Sequence, residues 1–208
     1  MPYFPDRQIA GAGTYATEYF KRMAAAAATI DPAAVTAAGE LVARTIQTGG
    51  RIYSCGNGGS AAIANHLVCD CLKGIRTDTQ LKPKVYSLSA TVELITAIVN
   101  DIGSEQMFSF QLESLGEPGD LLIAISSSGA SPNIVRTLEH ARHMGIATIA
   151  MSGFTGMPSR QLADVSLHVD CENYGIVEDL HQSLMHILAQ YTRHSHLDEP
   201  ELLGQLKF

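Results

Sequence analysis

From Arg51 onward the chain alternates short apolar runs with helix-like segments, and this alternation constrains the fold more than any other feature. Strands that are apolar along nearly their whole length and are separated by helices are typical of a parallel sheet covered on both faces. The sequence therefore predicts an α/β fold, a three-layer α/β/α sandwich around a central parallel sheet of the flavodoxin-like kind. The predicted strands are RIYSC, KVYSLS, DLLIAIS, ATIAMS and VSLHVD, and the predicted helices begin near Ser60, Thr91, Ser104, Ser131 and Val177.

Two helices are predicted before the first strand. An Ala-rich segment extends from Asp6 to about Ile30. A second helix begins at Pro32, with Asp31 as its N-cap and Gly49 at its exit, which is the usual order of helix start and stop residues. Both helices come before any part of the sheet, so they are available for contacts outside the sandwich.

The composition indicates one globular domain that works in the cytoplasm. A chain of 208 residues with 46% hydrophobic content can bury one substantial core. No apolar stretch reaches the roughly 18 residues of a membrane helix, and the first residues lack the order of a signal peptide. The net charge of −7 argues against nucleic acid as a partner, and the four cysteines are expected to be free thiols. The expected parts are oligomerisation helices in 1–50, the sandwich in 51–195, and a tail in 196–208 that packs on a neighbouring subunit.

Two loops that follow predicted strands are rich in glycine and serine. The first is GNGGS at 56–60, and the second is SSSGAS at 126–131. Glycine lets the backbone approach a ligand closely, and Ser60 is expected to cap the following helix. Ligands of open parallel sheets bind beyond the carboxyl ends of strands, where helix N-termini attract anions. Two such loops on one sheet therefore predict a phosphate-binding site.

A dinucleotide site is the competing interpretation of the first loop, because residues 56–61 fit the pattern G-x-G-x-x-G/A. That fold also needs an acidic residue at the end of the next strand to bind the ribose. The next strand ends in Ser87 and Ser89, and Asp78 lies before it. The sequence therefore does not favour a dinucleotide.

Four stretches together resemble the SIS (sugar isomerase) domain family, and within it the phosphoheptose isomerase branch. They are CGNGGSAAIANH, AIVNDIG, GDLLIAISSSGASPNIV and VEDLHQSLMHILAQ. The resemblance implies a homotetramer whose sugar-phosphate sites lie at subunit boundaries. It places the serines at the phosphate and Asn57, Asn100 and Asp101 along the sugar. The full set of implied substrate-binding residues is Asn57, Gly58, Gly59, Ser60, Asn100, Asp101, Ser126, Ser127, Ser128, Ser131 and Glu178.

The implied reaction interconverts a ketose phosphate and an aldose phosphate through an enediol or enediolate, and it needs a base and an acid. The family's base is a glutamate four residues beyond a histidine; that spacing falls on His66 and Asp70, which share a helix face. The family's acid falls on His186, and an upstream glutamine falls on Glu178. Asp70 and His186 are thus the catalytic residues that the resemblance implies.

Zinc is the expected cofactor, with His66, Asp70, Glu178 and His186 as ligands. The family holds zinc at the matching positions, and two imidazoles with two carboxylates suit zinc. Glu178 and His186 are eight residues apart, about 80° around a helix, so each of two helices can supply two ligands. The alternative is a metal-free cluster in which the two carboxylates share a proton or pair with His186.

The leading functional prediction is conversion of sedoheptulose 7-phosphate to a heptose 7-phosphate. A non-catalytic SIS protein used as a regulator or scaffold is one alternative, which retention of the acid and base residues disfavours. An isomerase of an eight-carbon or modified sugar phosphate is another. Departures from the family pattern leave the chain length of the sugar open. They are Asp70 in place of glutamate, Glu178 in place of glutamine, and Gly175 with Ile176 in place of Asp-Arg.

Overall fold

The computed structural model describes residues 3–208 and contains a five-stranded parallel sheet covered by helices, as the sequence predicts. The strands are β1 Arg51–Gly56, β2 Lys84–Ser87, β3 Leu121–Ser126, β4 Ala147–Ser152 and β5 Val165–His168. The helices are α1 Ala12–Ala27, α2 Pro32–Gln47, α3 Gly59–Cys69, α4 Val92–Asp101, α5 Ser109–Leu115, α6 Pro132–His143, α7 Ser159–Leu162 and α8 Tyr174–His194. A π-helical turn, Asp70–Ile75, continues α3, and 3-10 turns cover Ser104–Gln106 and Pro200–Leu202.

The strand order is β2-β1-β3-β4-β5, and every neighbouring pair is parallel. The first strand, β1, lies in the interior of the sheet. The chain then goes to one edge for β2 and crosses β1 to build the other side with β3, β4 and β5. The order therefore reverses between β1 and β3, where Ile52 pairs with Leu121 and Gly56 with Ile125. This reversal creates a crevice beyond the carboxyl ends of those two strands.

Both faces of the sheet are buried, which explains the nearly continuous apolar character of the strands. All six residues of β3 are buried. On one face Ile123 and Ile149 pack with Leu188 of α8, and on the other Leu122 packs with Phe108 and α6. These two cores make the three layers of the predicted sandwich.

The two N-terminal helices are present where the sequence predicts them. The Asp31 carboxylate accepts a hydrogen bond of 2.9 Å from the N–H of Ala33 at the start of α2. The Tyr19 hydroxyl donates a hydrogen bond of 2.6 Å to Asp179, which ties α1 to α8. The last helix begins at Tyr174 rather than near Val177, because the Asn173 side chain caps the earlier turn.

Residues 197–208 make contacts with their own chain, and their predicted packing on a neighbouring subunit stays a prediction. Leu197 forms an antiparallel bridge with Thr79, and the Asp198 N–H donates to the Asp78 carbonyl at 3.0 Å. All four cysteines are free, as predicted. Across residues 3–208, the structure contains no helix that combines the length and the apolar character needed to cross a membrane.

Candidate active site

The two glycine- and serine-rich loops meet at the crevice between β1 and β3. The first loop follows β1 and leads into α3, and the second follows β3 and leads into α6. Asn57 and Asn133 exchange two side-chain hydrogen bonds, of 3.0 and 2.9 Å, which join the loops. Because the strands are neighbours, the amino ends of α3 and α6 face the same space.

A polar pocket of about 150 Å³ occupies this space, and we call it the serine pocket. The Ser127 hydroxyl is buried and has no hydrogen-bond partner among the described residues. None of the lining residues, all within the described part of the chain, is a lysine or an arginine. An anion bound here would therefore be held by hydroxyl and backbone N–H groups at two helix starts. The lining residues are Asn57, Ser60, Ile125, Ser126, Ser127, Ser128, Ser131, Tyr174 and Glu178.

The first loop departs from its prediction in one detail. Ser60 was expected to cap α3, but the N-cap is Gly58, which adopts a positive φ of 55°. The helix starts one residue earlier than predicted because the Ser60 N–H already donates to the Asn57 carbonyl at 3.0 Å. Ser60 is buried in the first turn and lines the pocket instead.

Glu178 lies against the first turn of α3. A Cβ placed on Gly59 would clash with the Glu178 carboxylate, so a larger residue here would require Glu178 to move. Glu178 thus borders the serine pocket, near a helix start that favours a negative charge.

His66, Asp70 and His186 form a cluster next to the serine pocket, along α8. His66 Nε2 is 3.2 Å from one Asp70 oxygen, and His186 Nδ1 is 2.6 Å from the other. The two imidazole rings are 5.0 Å apart and nearly perpendicular. All three side chains are partly exposed, so the cluster is open to a small molecule.

Gln182 closes this cluster from the other side. Its Nε2 lies 3.1 Å from His66 Nδ1 and 3.0 Å from His186 Nε2. An amide nitrogen only donates, so each histidine accepts from Gln182 with one ring nitrogen and donates to Asp70 with the other. The arrangement is satisfied when both imidazoles are neutral and Asp70 is ionised.

The structure brings three of the four predicted zinc ligands together. Nitrogen and oxygen atoms of His66, Asp70 and His186 lie within 4.8 Å of one another, the only such group of three or more in residues 3–208. Glu178 is not part of this group, so its role as a fourth ligand stays a prediction. Glu178 is two turns before His186 on α8, and Gln182 occupies the position between them. Burial raises the pKa of the neighbouring Cys71 thiol to about 12.

A second pocket, of about 240 Å³, adjoins the cluster on the side away from the serines. One winding stripe of residues runs along α8, because its members are spaced by three or four positions. These positions are 174, 178, 182, 186, 190 and 193. The serine pocket, the cluster and the second pocket therefore follow one another along this helix. The second pocket is lined by Asp70, Lys73, Gly74, His186, Ala189, Gln190, Arg193 and Phe208.

Two predicted residues lie apart from this site within the single chain. Asn100 and Asp101 are at the exposed end of α4, where the Asn100 amide donates to Asp101 at 2.6 Å. Neither lines the serine pocket or the second pocket.

His181 is fully buried on the opposite face of α8, and burial lowers its pKa to about 4, so it is a neutral core residue.

Sequence reasoning missed Gln182. The signal was its spacing, four residues after Glu178 and four before His186, which puts all three side chains on one helix face. Nothing in the sequence showed that α3 would pack beside this part of α8. That contact brings the amide to both histidines.

Comparison with known proteins gives one consistent relationship. Residues 14–153 match the model of the SIS domain family. The chain is 39% identical over 155 residues to a phosphoheptose isomerase of Nitratidesulfovibrio vulgaris strain Miyazaki F, covering 74% of this chain and 73% of that protein. It is 33% identical over 165 residues to the phosphoheptose isomerase of a Roseiflexus species, covering 79% and 83%. The structure of a phosphoheptose isomerase from Neisseria gonorrhoeae superposes with a TM-score of 0.80 at 28% identity, covering 88% of this chain and 98% of that chain.

Proposed function

This chain belongs to the SIS domain family, and from its site we propose that it is an aldose-ketose isomerase that converts sedoheptulose 7-phosphate to a heptose 7-phosphate. The observation that carries the proposal is the position of the His66–Asp70–His186 cluster two turns along α8 from Glu178, which lines the serine pocket. One feature binds a phosphate, and the other supplies the acid and base groups that the isomerisation needs. The relatives named above are phosphoheptose isomerases, which supports the same reaction and disfavours a purely regulatory role.

The substrate phosphate binds at the serine pocket. Hydroxyls of Ser60, Ser126, Ser127, Ser128 and Ser131 donate to its oxygens, with backbone N–H groups at the starts of α3 and α6. No cation is needed at the pocket, because these donors and the two helix dipoles stabilise the negative charge.

The carbonyl end of the sugar then extends along α8 to the cluster. Asn57 and Glu178 contact the sugar hydroxyls between the phosphate and the carbonyl end. The Glu178 carboxylate accepts hydrogen bonds from these hydroxyls. Glu178 and His186 are eight residues apart, about 12 Å along the helix axis, a distance that an extended seven-carbon chain with its phosphate is long enough to bridge.

At the cluster, Asp70 removes the proton from the carbon next to the carbonyl, which forms the enediolate. The proton returns to the neighbouring carbon and completes the exchange of ketose for aldose. His186, hydrogen-bonded to Asp70 at 2.6 Å, moves the hydroxyl proton between the two oxygens. Asp70 is held between two imidazole donors, so its carboxylate is oriented before the substrate arrives.

The donor atoms of the cluster fit a divalent metal, and we propose zinc. His66, Asp70 and His186 would hold it, since two imidazole nitrogens and a carboxylate oxygen are a common set in catalytic zinc sites, where a further position stays open. When bound, zinc polarises a carbonyl oxygen and stabilises negative charge on it. Gln182 contacts the other ring nitrogen of each histidine and orients both imidazoles.

The proposed reaction is tested with a panel of five- to eight-carbon ketose phosphates, monitored for aldose product. We expect sedoheptulose 7-phosphate to give the highest kcat/KM, because the phosphate and the carbonyl must reach the serine pocket and the cluster together. The second pocket leaves room beside the cluster, so the eight-carbon ketose phosphate is the informative competitor. Absence of aldose product from every sugar in the panel contradicts the proposed function.

We also propose that the protein is a homotetramer with its sites at subunit boundaries. Helix α4 is poorly covered by its own chain: Val92, Leu94, Val99 and Ile102 are 40–64% exposed, and only Ile98 of this helix is buried. Exposed apolar surface of this kind is typical of an interface. A neighbour packed on α4 would bring Asn100 and Asp101, at the end of that helix, to another subunit's site.

We expect light scattering to report a tetramer at micromolar concentration. Val99→Glu places a charge on the apolar face of α4 and should shift the protein to smaller species, with loss of activity if the sites are shared. His143→Glu, an exposed position on α6, is the matched control and should leave the tetramer intact. A stable wild-type monomer argues against both the assembly and the shared sites.

We place the protein in the cytoplasm, in keeping with its four free cysteines, because unpaired thiols persist in a reducing compartment.

A further inference from the structure

Arg193 is a buried arginine, and each of its three guanidinium nitrogens donates a hydrogen bond. Its Nε donates to the Thr77 carbonyl at 3.0 Å, and Nη2 contacts the Asp78 carboxylate at 2.6 Å. Its Nη1 donates to the Lys207 carbonyl at 2.8 Å. The planar fork of arginine serves these acceptors from three separate nitrogens in a fixed geometry, whereas lysine offers its donors from a single nitrogen. Arg193 thus joins three separate parts of the chain.

The segment of residues 70–78 is held by α8 at both of its ends. At its start, Asp70 contacts His186, and at its end Thr77 and Asp78 contact Arg193. His186 and Arg193 are seven residues apart, two turns of helix, and so lie on the same face of α8. The position of Asp70 relative to His186 is therefore set by the same helix that fixes the other end of the segment.

The segment between these two contacts has unusual backbone geometry. Residues 70–75 form a π-helical turn, and Asp78 adopts a left-handed φ of 58°. π-helical turns are rare, and a non-glycine residue at positive φ persists only where its surroundings hold it. The Asp198 N–H donates to the Asp78 carbonyl, so the tail contributes to holding this residue.

The C-terminal residues complete the arrangement around Arg193. The Phe208 ring lies 4.5 Å from the Arg193 guanidinium carbon, a distance suited to a cation–π contact. Phe208 also lines the second pocket together with Asp70 and His186. The tail therefore contacts both the arginine and the edge of the site.

We propose that Arg193 is a positioning residue, which holds the 70–78 segment so that the Asp70 carboxylate stays against His186 and His66. The proposal rests on the proposed function only for the consequence that a displaced Asp70 lowers turnover. Residues 197–208 act as a strap that completes the contacts of Arg193. Arg193 itself contacts no reacting atom, so its effect on the reaction passes through Asp70.

The test compares Arg193→Met and Arg193→Lys with Arg44→Met, a change at an exposed arginine on α2. Methionine keeps much of the aliphatic stem but removes every donor. We expect Arg193→Met to lower kcat about tenfold or more, since small displacements of a reacting group have effects of this size or larger. KM should change little, because the serine pocket is at the other end of the site. Lysine keeps one donor for Asp78 and should recover part of kcat.

Hydrogen exchange measured by mass spectrometry over residues 70–79 gives a readout that does not need activity. We expect faster exchange there in Arg193→Met than in the wild type, and wild-type exchange in Arg44→Met. If Arg193→Met unfolds at a lower temperature but keeps the wild-type kcat when folded, Arg193 contributes only to stability, and the proposal is overturned. So does unchanged exchange over 70–79. A wild-type protein without isomerase activity contradicts the proposed function, and the exchange experiment still decides whether Arg193 holds this segment.

Discussion

Asp70→Asn is expected to lower kcat for sedoheptulose 7-phosphate by ~10²-fold or more, the usual scale for loss of a general base. The amide has nearly the same volume as the carboxylate but cannot take up the proton. It also cannot accept from both histidines, because its NH₂ group would face a donor nitrogen of one of them. The variant should therefore fold with an intact serine pocket, fail at proton transfer and hold zinc more weakly, since Asp70 is also one of the three proposed ligands.

The measurement is the rate of aldose formation together with exchange of the transferred proton with solvent, both at saturating substrate. Glu113→Gln, the same kind of change at an exposed position on α5, is the control and should behave as the wild type. Asp70→Glu restores the carboxylate on a side chain longer by one methylene and should retain more activity than Asp70→Asn. Unchanged turnover in Asp70→Asn removes Asp70 as the base.

Zinc removal is the second large effect that we expect. Protein purified without a chelator should contain about one zinc ion per chain, held by His66, Asp70 and His186. Treatment with EDTA should lower turnover by ~10²-fold or more, because polarisation of the carbonyl supplies several kcal/mol of stabilisation to the developing charge. Readdition of zinc should restore it.

His66→Ala removes one imidazole ligand and should reduce both the zinc content and the activity. His143→Ala, a change at an exposed histidine on α6, is the matched control and should retain the metal. Metal content is measured on the purified proteins before any assay, so it does not depend on substrate choice. No zinc in the wild type or in either variant, with full activity in EDTA, eliminates zinc from the mechanism and leaves a metal-free acid and base pair.

Much of the fold could be predicted because its signals are local. Asp31 and Pro32 mark the start of α2 through the geometry of the first turn, and the structure shows that start. The apolar strands indicate a sheet buried on both faces, because the side chains of each strand alternate between the two faces and both sets must then be apolar. The pairing of His66 with Asp70 follows from helix periodicity alone. The assignment of residues 1–50 to oligomerisation stays a prediction.

The site was less predictable than the fold, and Glu178 and Gln182 show why. Both residues are on the same face of α8, but the family resemblance pointed only to Glu178, where a carboxylate suits zinc better than an amide would. The structure puts Glu178 against Gly59 and Gln182 between the two histidines. The choice depends on where α3 crosses α8, and that crossing is decided by packing between residues more than a hundred positions apart.

The sequence by itself determined the five strands and most of the helices, and that two serine- and glycine-rich loops follow strands, because backbone sterics, capping and periodicity act over a few residues. It missed the short helix α7, and the helix predicted from Ser104 begins with a 3-10 turn before α5 starts at Ser109. Only the tertiary structure decided that β1 and β3 are neighbours, so that the two loops form one pocket. It also decided that Asp70 meets His186, 116 residues away, and that Arg193 and the tail hold the segment following Asp70. Such contacts form when distant elements bury apolar surface together, and no short stretch of sequence carries that information.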